Sequence, residues 1–226
     1  MYVMTLHRSS IGKKIIMAIT GLIWVGFVLL HMYGNLKAFL GADYFNAYAE
    51  GLRTIGAQIF GHTHLLYIAR LVLTAALLLH IWSAYSLTQQ AHHARPTNYV
   101  VRQKVQANRA SLTMRWGGVV ILVFLVYHLM HLTWGLPVAP GVFVQADAYH
   151  NLVNGFHFIP ATILYLLGVT ALGFHLYHGF FSAFQTLGLN NQNTETPIKA
   201  GALAFSLVVT IGFAVVPLSV VAGIIR

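Results

Sequence analysis

Two kinds of residue are missing or nearly so, and each absence removes a class of chemistry. There is no cysteine, which excludes disulfides, iron–sulfur ligation and thiol catalysis together. Charge is scarce as well: 8% of residues are charged, against about 25% in an ordinary soluble domain. Only four carboxylates occur (Asp43, Glu50, Asp147 and Glu195), and none falls inside an apolar run. A carboxylate-bridged di-iron bundle needs inward-facing glutamates and is therefore excluded, and a carboxylate proton relay is argued against. What remains is apolar: 58% of residues are hydrophobic and the mean hydropathy is +0.70. The chain reads as an integral membrane protein of a single domain, residues 1–226. Against the poverty of acids stand thirteen histidines, and neutral imidazole is the metal ligand this composition offers. The +9 formal charge is confined to particular loops. It reads as membrane topology and attraction to anionic lipid rather than nucleic-acid binding, for which no motif is present.

Five apolar stretches are long enough to cross a hydrocarbon core of about 30 Å as helices. The first, about 14–39, follows His7, Arg8, Lys13 and Lys14. It resembles a signal peptide but runs on past Leu30 without a small-residue cleavage site, so it is expected to stay as a span. The others cover about 65–87, 113–134, 158–186 and 198–225. Between the first two, Tyr44, Phe45, Tyr48, Leu52, Ile55 and Ile59 recur at helical spacing, which predicts a short helix in the membrane interface. Pro137, Pro140 and Gly141 break the chain after the third span, and a short amphipathic loop then reaches His157. The Lys and Arg gather in the N-terminal segment, the 88–113 loop with Arg115 at its edge, and the turn before the fifth span. The positive-inside rule puts these segments, and the N-terminus, in the cytoplasm and the C-terminus outside.

Histidines lie inside four of the five spans, and counting residues from the membrane faces gives their depths. At about 1.5 Å per residue, His31 and His128 lie ~25 and ~20 Å from the inner face, whereas His80 and His175 lie ~24 and ~27 Å from the outer face. The first two therefore share a level in the outer half, the second two share one in the inner half, and the levels stand very roughly 15 Å apart. Each pair comes from alternate helices, which are diagonal neighbours in a four-helix bundle. A diagonal pair of imidazoles at one level is the geometry of bis-histidine haem ligation. The expected fold is thus all-α, five transmembrane helices, with spans one to four forming a haem-binding bundle.

Other residues enter with alternatives beside them. His131 and His178 follow His128 and His175 by one helical turn and are rival ligands that depth alone does not separate. The second nitrogen of each ligand is expected to donate within its own helix or to a nearby hydroxyl. Gly21, Gly26, Gly117, Gly118, Gly168 and Gly173 would clear room for a porphyrin, or simply let helices pack closely. Arg70, near the level of the outer pair with no carboxylate to meet it, would face a haem propionate or snorkel to the interface. Arg115 and Lys14 stand at the inner boundary, where propionates would emerge, though topology alone also accounts for them. A histidine-using transporter would call for internal repeats or broken helices, and neither is visible.

Taken together, SSIGKKIIMAITGL with FVLLHMYGNL in the first span, LLLHIWSAY in the second, RWGGVVILVFLVYHLMH in the third and, above all, LGFHLYHGFFSAFQTLGL in the fourth resemble the di-haem cytochrome b subunit of succinate:quinone oxidoreductases, respiratory complex II, in its single-chain five-span form. The resemblance covers nearly the whole chain. It implies two haem b groups, with His31 and His128 as the outer ligands and His80 and His175 as the inner ones; it favours His128 over His131 and His175 over His178. His178, with Arg70 and Arg115, is then left as a candidate propionate contact. It further implies a prokaryotic cytoplasmic-membrane location and electron transport from succinate, in the tricarboxylic acid cycle, to a quinone, usually menaquinone in this form. A flavoprotein with covalent FAD and an iron–sulfur protein would be the partners, the latter docked on the basic cytoplasmic face. The same architecture run backwards is a quinol:fumarate reductase, and a di-haem cytochrome b of another dehydrogenase is a further alternative. No glutamate lies in the spans, where some relatives use one, so the quinone site is not implied.

Overall fold

The computed structural model describes residues 8–94 and 109–226, and among these every regular element is helical, with no strand. The long helices are α1 (Ser10–Leu36), α4 (His64–His93), α5 (Arg109–Leu132), α7 (Ile159–Thr186) and α8 (Glu195–Val221). Shorter ones are α2 (Ala42–Thr54), α3 (Ala57–Phe60) and α6 (Ala148–His157), with a 3₁₀ turn at Lys37–Leu40. Five of them are long and apolar enough to cross a membrane, as the sequence led one to expect. The expected 88–113 loop is shortened from both ends, because α4 runs on to His93 and α5 begins at Arg109. Arg95, Arg102 and Lys104 of that loop lie outside the described residues.

Local chemistry sets the helix ends. The Ser9 hydroxyl accepts from the Gly12 N–H at 3.0 Å and opens α1, while the Asp147 carboxylate accepts from the His150 N–H at 2.9 Å and opens α6; both satisfy amides that a helix start leaves unpaired. Helices α7 and α8 stop the same way. Gly188 and Gly223 adopt left-handed backbone, and the amides of Leu189 and Ile224 reach back to the carbonyls of Phe184 and Ser219. Glycine takes that conformation without a Cβ penalty.

The long helices pack in a definite order. Helix α1 lies along α4 and along α7, α5 lies along α7, and α8 lies along α7 and α1. Among the described residues no extensive backbone packing joins α4 to α5, α1 to α5 or α4 to α7. The order around the bundle is therefore α4, α1, α7, α5, closed on three sides, with α1 facing α5 and α4 facing α7 across its diagonals. Helix α8 backs the α1–α7 side. The buried apolar core lies there too: Val28, Leu176 and Val209 pack together, as do Ala38, Leu152, Phe156, Tyr165, Val216, Val220 and Ile225.

Lipid tails are as apolar as these side chains, so close fit, rather than escape from water, holds spanning helices together. Two glycines of α7 provide that fit. Gly168 receives the ring of Phe124 from α5, and Gly173 receives Thr210 from α8.

The stretch expected as an interfacial helix is α2 and the short α3, and the expected amphipathic loop before the fourth span contains a second helix, α6. The two are tied by polar contacts. Asn46 donates to Asp147 and accepts from the Tyr149 N–H, each at 2.9 Å. Phe45 meets the Tyr149 ring edge-on, and the Tyr149 hydroxyl donates to the Arg226 carbonyl. Together they cap one end of the bundle, while Tyr44, Ile55, Ile59 and Phe60 stay exposed, as an interface-seated element requires.

Candidate metal centre between diagonal helices

The four span histidines meet as two pairs, one on each diagonal. His31 of α1 faces His128 of α5 with ring centroids 5.7 Å apart, and His80 of α4 faces His175 of α7 at 6.1 Å. Their spacing along the bundle follows from what each touches. The His80 ring lies against Gly21 of α1, ten residues before His31. Likewise His128 reaches Tyr165 of α7, ten residues before His175. Both counts put the levels ~15 Å apart, the separation read from the sequence.

Metal–imidazole bonds run about 2.0–2.1 Å, so two rings gripping one ion through single nitrogens place their centroids roughly 6 Å apart. Both observed spacings suit that. The inter-ring angles of 78° and 59° are no obstacle, because each ring turns about its own metal–nitrogen axis. Among the described residues no three or more metal-binding side chains converge. Each level thus brings two imidazoles together, which could hold an ion whose remaining ligands come from elsewhere, as in a bis-histidine haem.

The second nitrogens are served unequally. Nδ1 of His80 stands 3.1 Å from the Met17 carbonyl and 3.3 Å from the Thr20 hydroxyl. A carbonyl only accepts, so Nδ1 carries the proton and Nε2 presents its lone pair to the bundle interior. The carbonyl belongs to the neighbouring helix rather than to the ligand's own, while the Thr20 hydroxyl beside it answers the other expectation, a nearby hydroxyl. Nδ1 of His128 lies 3.3 Å from the Tyr165 hydroxyl. His31 instead stacks on Phe27, with centroids 5.3 Å apart and planes 13° from parallel, and Nδ1 of His175 is buried with no hydrogen-bond partner among the described residues.

The rival histidines separate by position. His131 is turned toward α6: a Cβ added to Gly155 would fall 2.7 Å from its Cε1 and Nε2, and its Nδ1 lies 3.2 Å from the Tyr165 hydroxyl. It does not join the His31–His128 pair. His178 makes no hydrogen bond or ring contact with any described residue.

The other candidates are placed as follows. Arg70 is exposed, its guanidinium over the Tyr67 ring at 5.5 Å, which is the snorkelling arrangement. Arg115 approaches the exposed His92 at 3.5 Å, and Lys14 is exposed. Of the six glycines, Gly168 and Gly173 are filled by neighbouring side chains and Gly21 by the His80 imidazole itself. Gly26 lies on the exposed face of α1. Only Gly117 and Gly118 combine open space with partial burial. They stand ten and eleven residues before His128, and hence at the level of His80 and His175. Tyr165 was given no role from the sequence, since nothing local marks it out among the aromatic residues of the spans. Comparison with protein-family models, curated proteins and solved structures finds no match.

Proposed function

We propose that this chain is the membrane-anchoring, haem-carrying and quinone-reacting subunit of a succinate:quinone oxidoreductase. The observation that carries the reading is the pairing of four span histidines across both diagonals of one bundle, at spacings that suit two axially ligated irons. His31 and His128 would hold one haem b and His80 and His175 the other. Haem b, when bound, supplies a one-electron carrier inside the bilayer. Neutral imidazole suits that duty, since a buried ligand that adds no charge costs little in lipid. Met17 and Thr20 orient His80, and Gly117 and Gly118 leave space on α5 at the level of that pair. Trp24 and Phe27 of α1 lie between the two levels in the chain. Trp24 and Phe27 meet edge-on at 5.5 Å.

The rest of the reading comes from the resemblance of the chain to that family. Succinate chemistry would lie on a flavoprotein with FAD, and electrons would arrive through an iron–sulfur subunit docked at the cytoplasmic end. That end carries Arg8, Lys13, Lys14 and Arg115, and menaquinone would be the acceptor. By the positive-inside rule the N-terminus is cytoplasmic and the C-terminus outside, in a prokaryotic cytoplasmic membrane. His31 and His128 are then the outer pair.

The purified complex should show a low-spin haem b spectrum with two haems per chain. His175→Ala should remove one haem and leave the other, and His31→Ala should do the reverse. One haem or none in the native chain would overturn the proposal. Rates with succinate plus quinone, compared with quinol plus fumarate, assign the direction, and the subunits that co-purify distinguish another dehydrogenase.

A further inference from the structure

Among the described residues, Tyr165 has the densest polar and aromatic surroundings in the bundle. Its ring is buried and meets Phe156, Phe124 and Tyr127 edge-on at 4.8, 5.2 and 6.0 Å. Its hydroxyl lies between two imidazoles on successive turns of α5, 3.3 Å from Nδ1 of His128 and 3.2 Å from Nδ1 of His131. A phenol has one proton and two lone pairs, so it cannot donate to both. If each ring accepted there, one buried contact would be two facing lone pairs.

His131 is held in place independently. Gly155 admits its ring from the α6 side, and Tyr127 lies 5.6 Å from it on its own helix. The hydroxyl is therefore gripped from the His131 side by a group that does not face the metal-binding interior. The side that faces His128 is left to accept.

We propose that Tyr165 is the positioning residue of the His31–His128 site. Its oxygen accepts the Nδ1 proton of His128, and its own proton goes to Nδ1 of His131. His128 is thereby held as the Nδ1–H tautomer with Nε2 toward His31, and His131 is kept in the opposite tautomer. This rests on the reading of His31 and His128 as axial haem ligands, and it adds the reason that His128 rather than His131 is the ligand.

The consequence is confined to one level. An acceptor on the outer nitrogen makes an imidazole a stronger electron donor and favours the oxidised metal. His80 has such an acceptor in the Met17 carbonyl, which no side-chain substitution removes. His128 has it only through Tyr165.

The experiment is a redox titration, followed by visible absorbance and low-spin EPR, of the assembled membrane complex carrying Tyr165→Phe. That variant keeps the ring and its aromatic contacts and deletes the hydroxyl alone. Both haems should remain bis-histidine ligated. One should shift to higher potential, by about a tenfold change in its reduced-to-oxidised ratio, and the other should not move. His131→Phe should keep two haems and move the same one in the same direction. Tyr127→Phe, which touches both groups without hydrogen-bonding them, should move neither. Unshifted potentials in Tyr165→Phe, or loss of a haem in His131→Phe, would overturn the assignment. If Tyr165→Phe does not assemble, His131→Phe makes the same discrimination. A native complex without two low-spin haems would instead sink the ligand reading beneath it.

Discussion

Asp147 shows how much one side chain outside the spans can organise. Its carboxylate accepts from the His150 N–H and from Asn46, so it both starts α6 and fastens α6 to α2. The backbone bond from His150, then the Asn46 bond, hold its pKa below the ordinary carboxylate value. A group whose pKa is lowered on folding stabilises the fold above its unfolded value, about 3.9, and that contribution disappears as pH falls through the folded value. The cap should therefore be insensitive to pH across the neutral range and loosen only under acid well below pH 4. Asp147→Ala removes both bonds and should cost about 1 kcal/mol, the usual loss for an N-cap. Faster hydrogen–deuterium exchange at the His150 and Asn151 amides, with α7 and α8 unchanged, is the signature. The sequence marks Asp147 only as one of four acids. Its double role depends on Asn46, about a hundred residues away, and no local pattern encodes that partnership.

Among the elements, α7 is the one against which the others are registered, and its glycines divide the work. Gly168 accommodates Phe124 from α5 and Gly173 accommodates Thr210 from α8, on two different seams. Gly168→Val should push α5 away and lower occupancy of the His31–His128 site first, because His128 rides on α5. Gly173→Val should loosen α8 instead and leave both histidine pairs in place, because α8 supplies no ligand. Haem content and thermal stability, measured on the two variants side by side, separate these outcomes; equal haem loss in both would contradict the division. The five spans were legible because about twenty apolar residues in a row leave little else for the backbone to do. The pairing of His31 with His128 and of His80 with His175 was legible because a helix turns residue number into depth. What each glycine faces was not, since that depends on which neighbour fills it. The side taken by α8 was hidden for a similar reason: it carries no histidine and is apolar around most of its girth.

At the scale of the whole molecule, the two ends differ in charge more than the composition alone suggests. One end brings together Arg8, Lys13, Lys14 and Arg115, linked by contacts such as Gln90 to the Arg8 carbonyl and Arg115 to His92. Lys199 follows the α7–α8 turn at that same end, and there the only carboxylate, Glu195, is paired with it. The other end holds the α2–α6 cap, where Asp43, Glu50 and Asp147 offset all but one of the four basic residues Lys37, Arg53, Arg70 and Arg226. A bilayer acts on this difference during insertion, since cytoplasmic segments retain Lys and Arg. Arg226 at the far end weighs little against the cluster opposite. The absence of cysteine makes the orientation directly testable, because any thiol introduced is the only one. Gln145→Cys lies in the exposed connection before α6, and Gln192→Cys lies in the exposed turn before α8. With intact cells and a membrane-impermeant maleimide, Gln145→Cys should label at once and Gln192→Cys only after lysis. The reverse pattern would put the basic end outside. It would move the expected docking face to the wrong side of the membrane for a cytoplasmic iron–sulfur partner, and so count against the assembly as well as the topology.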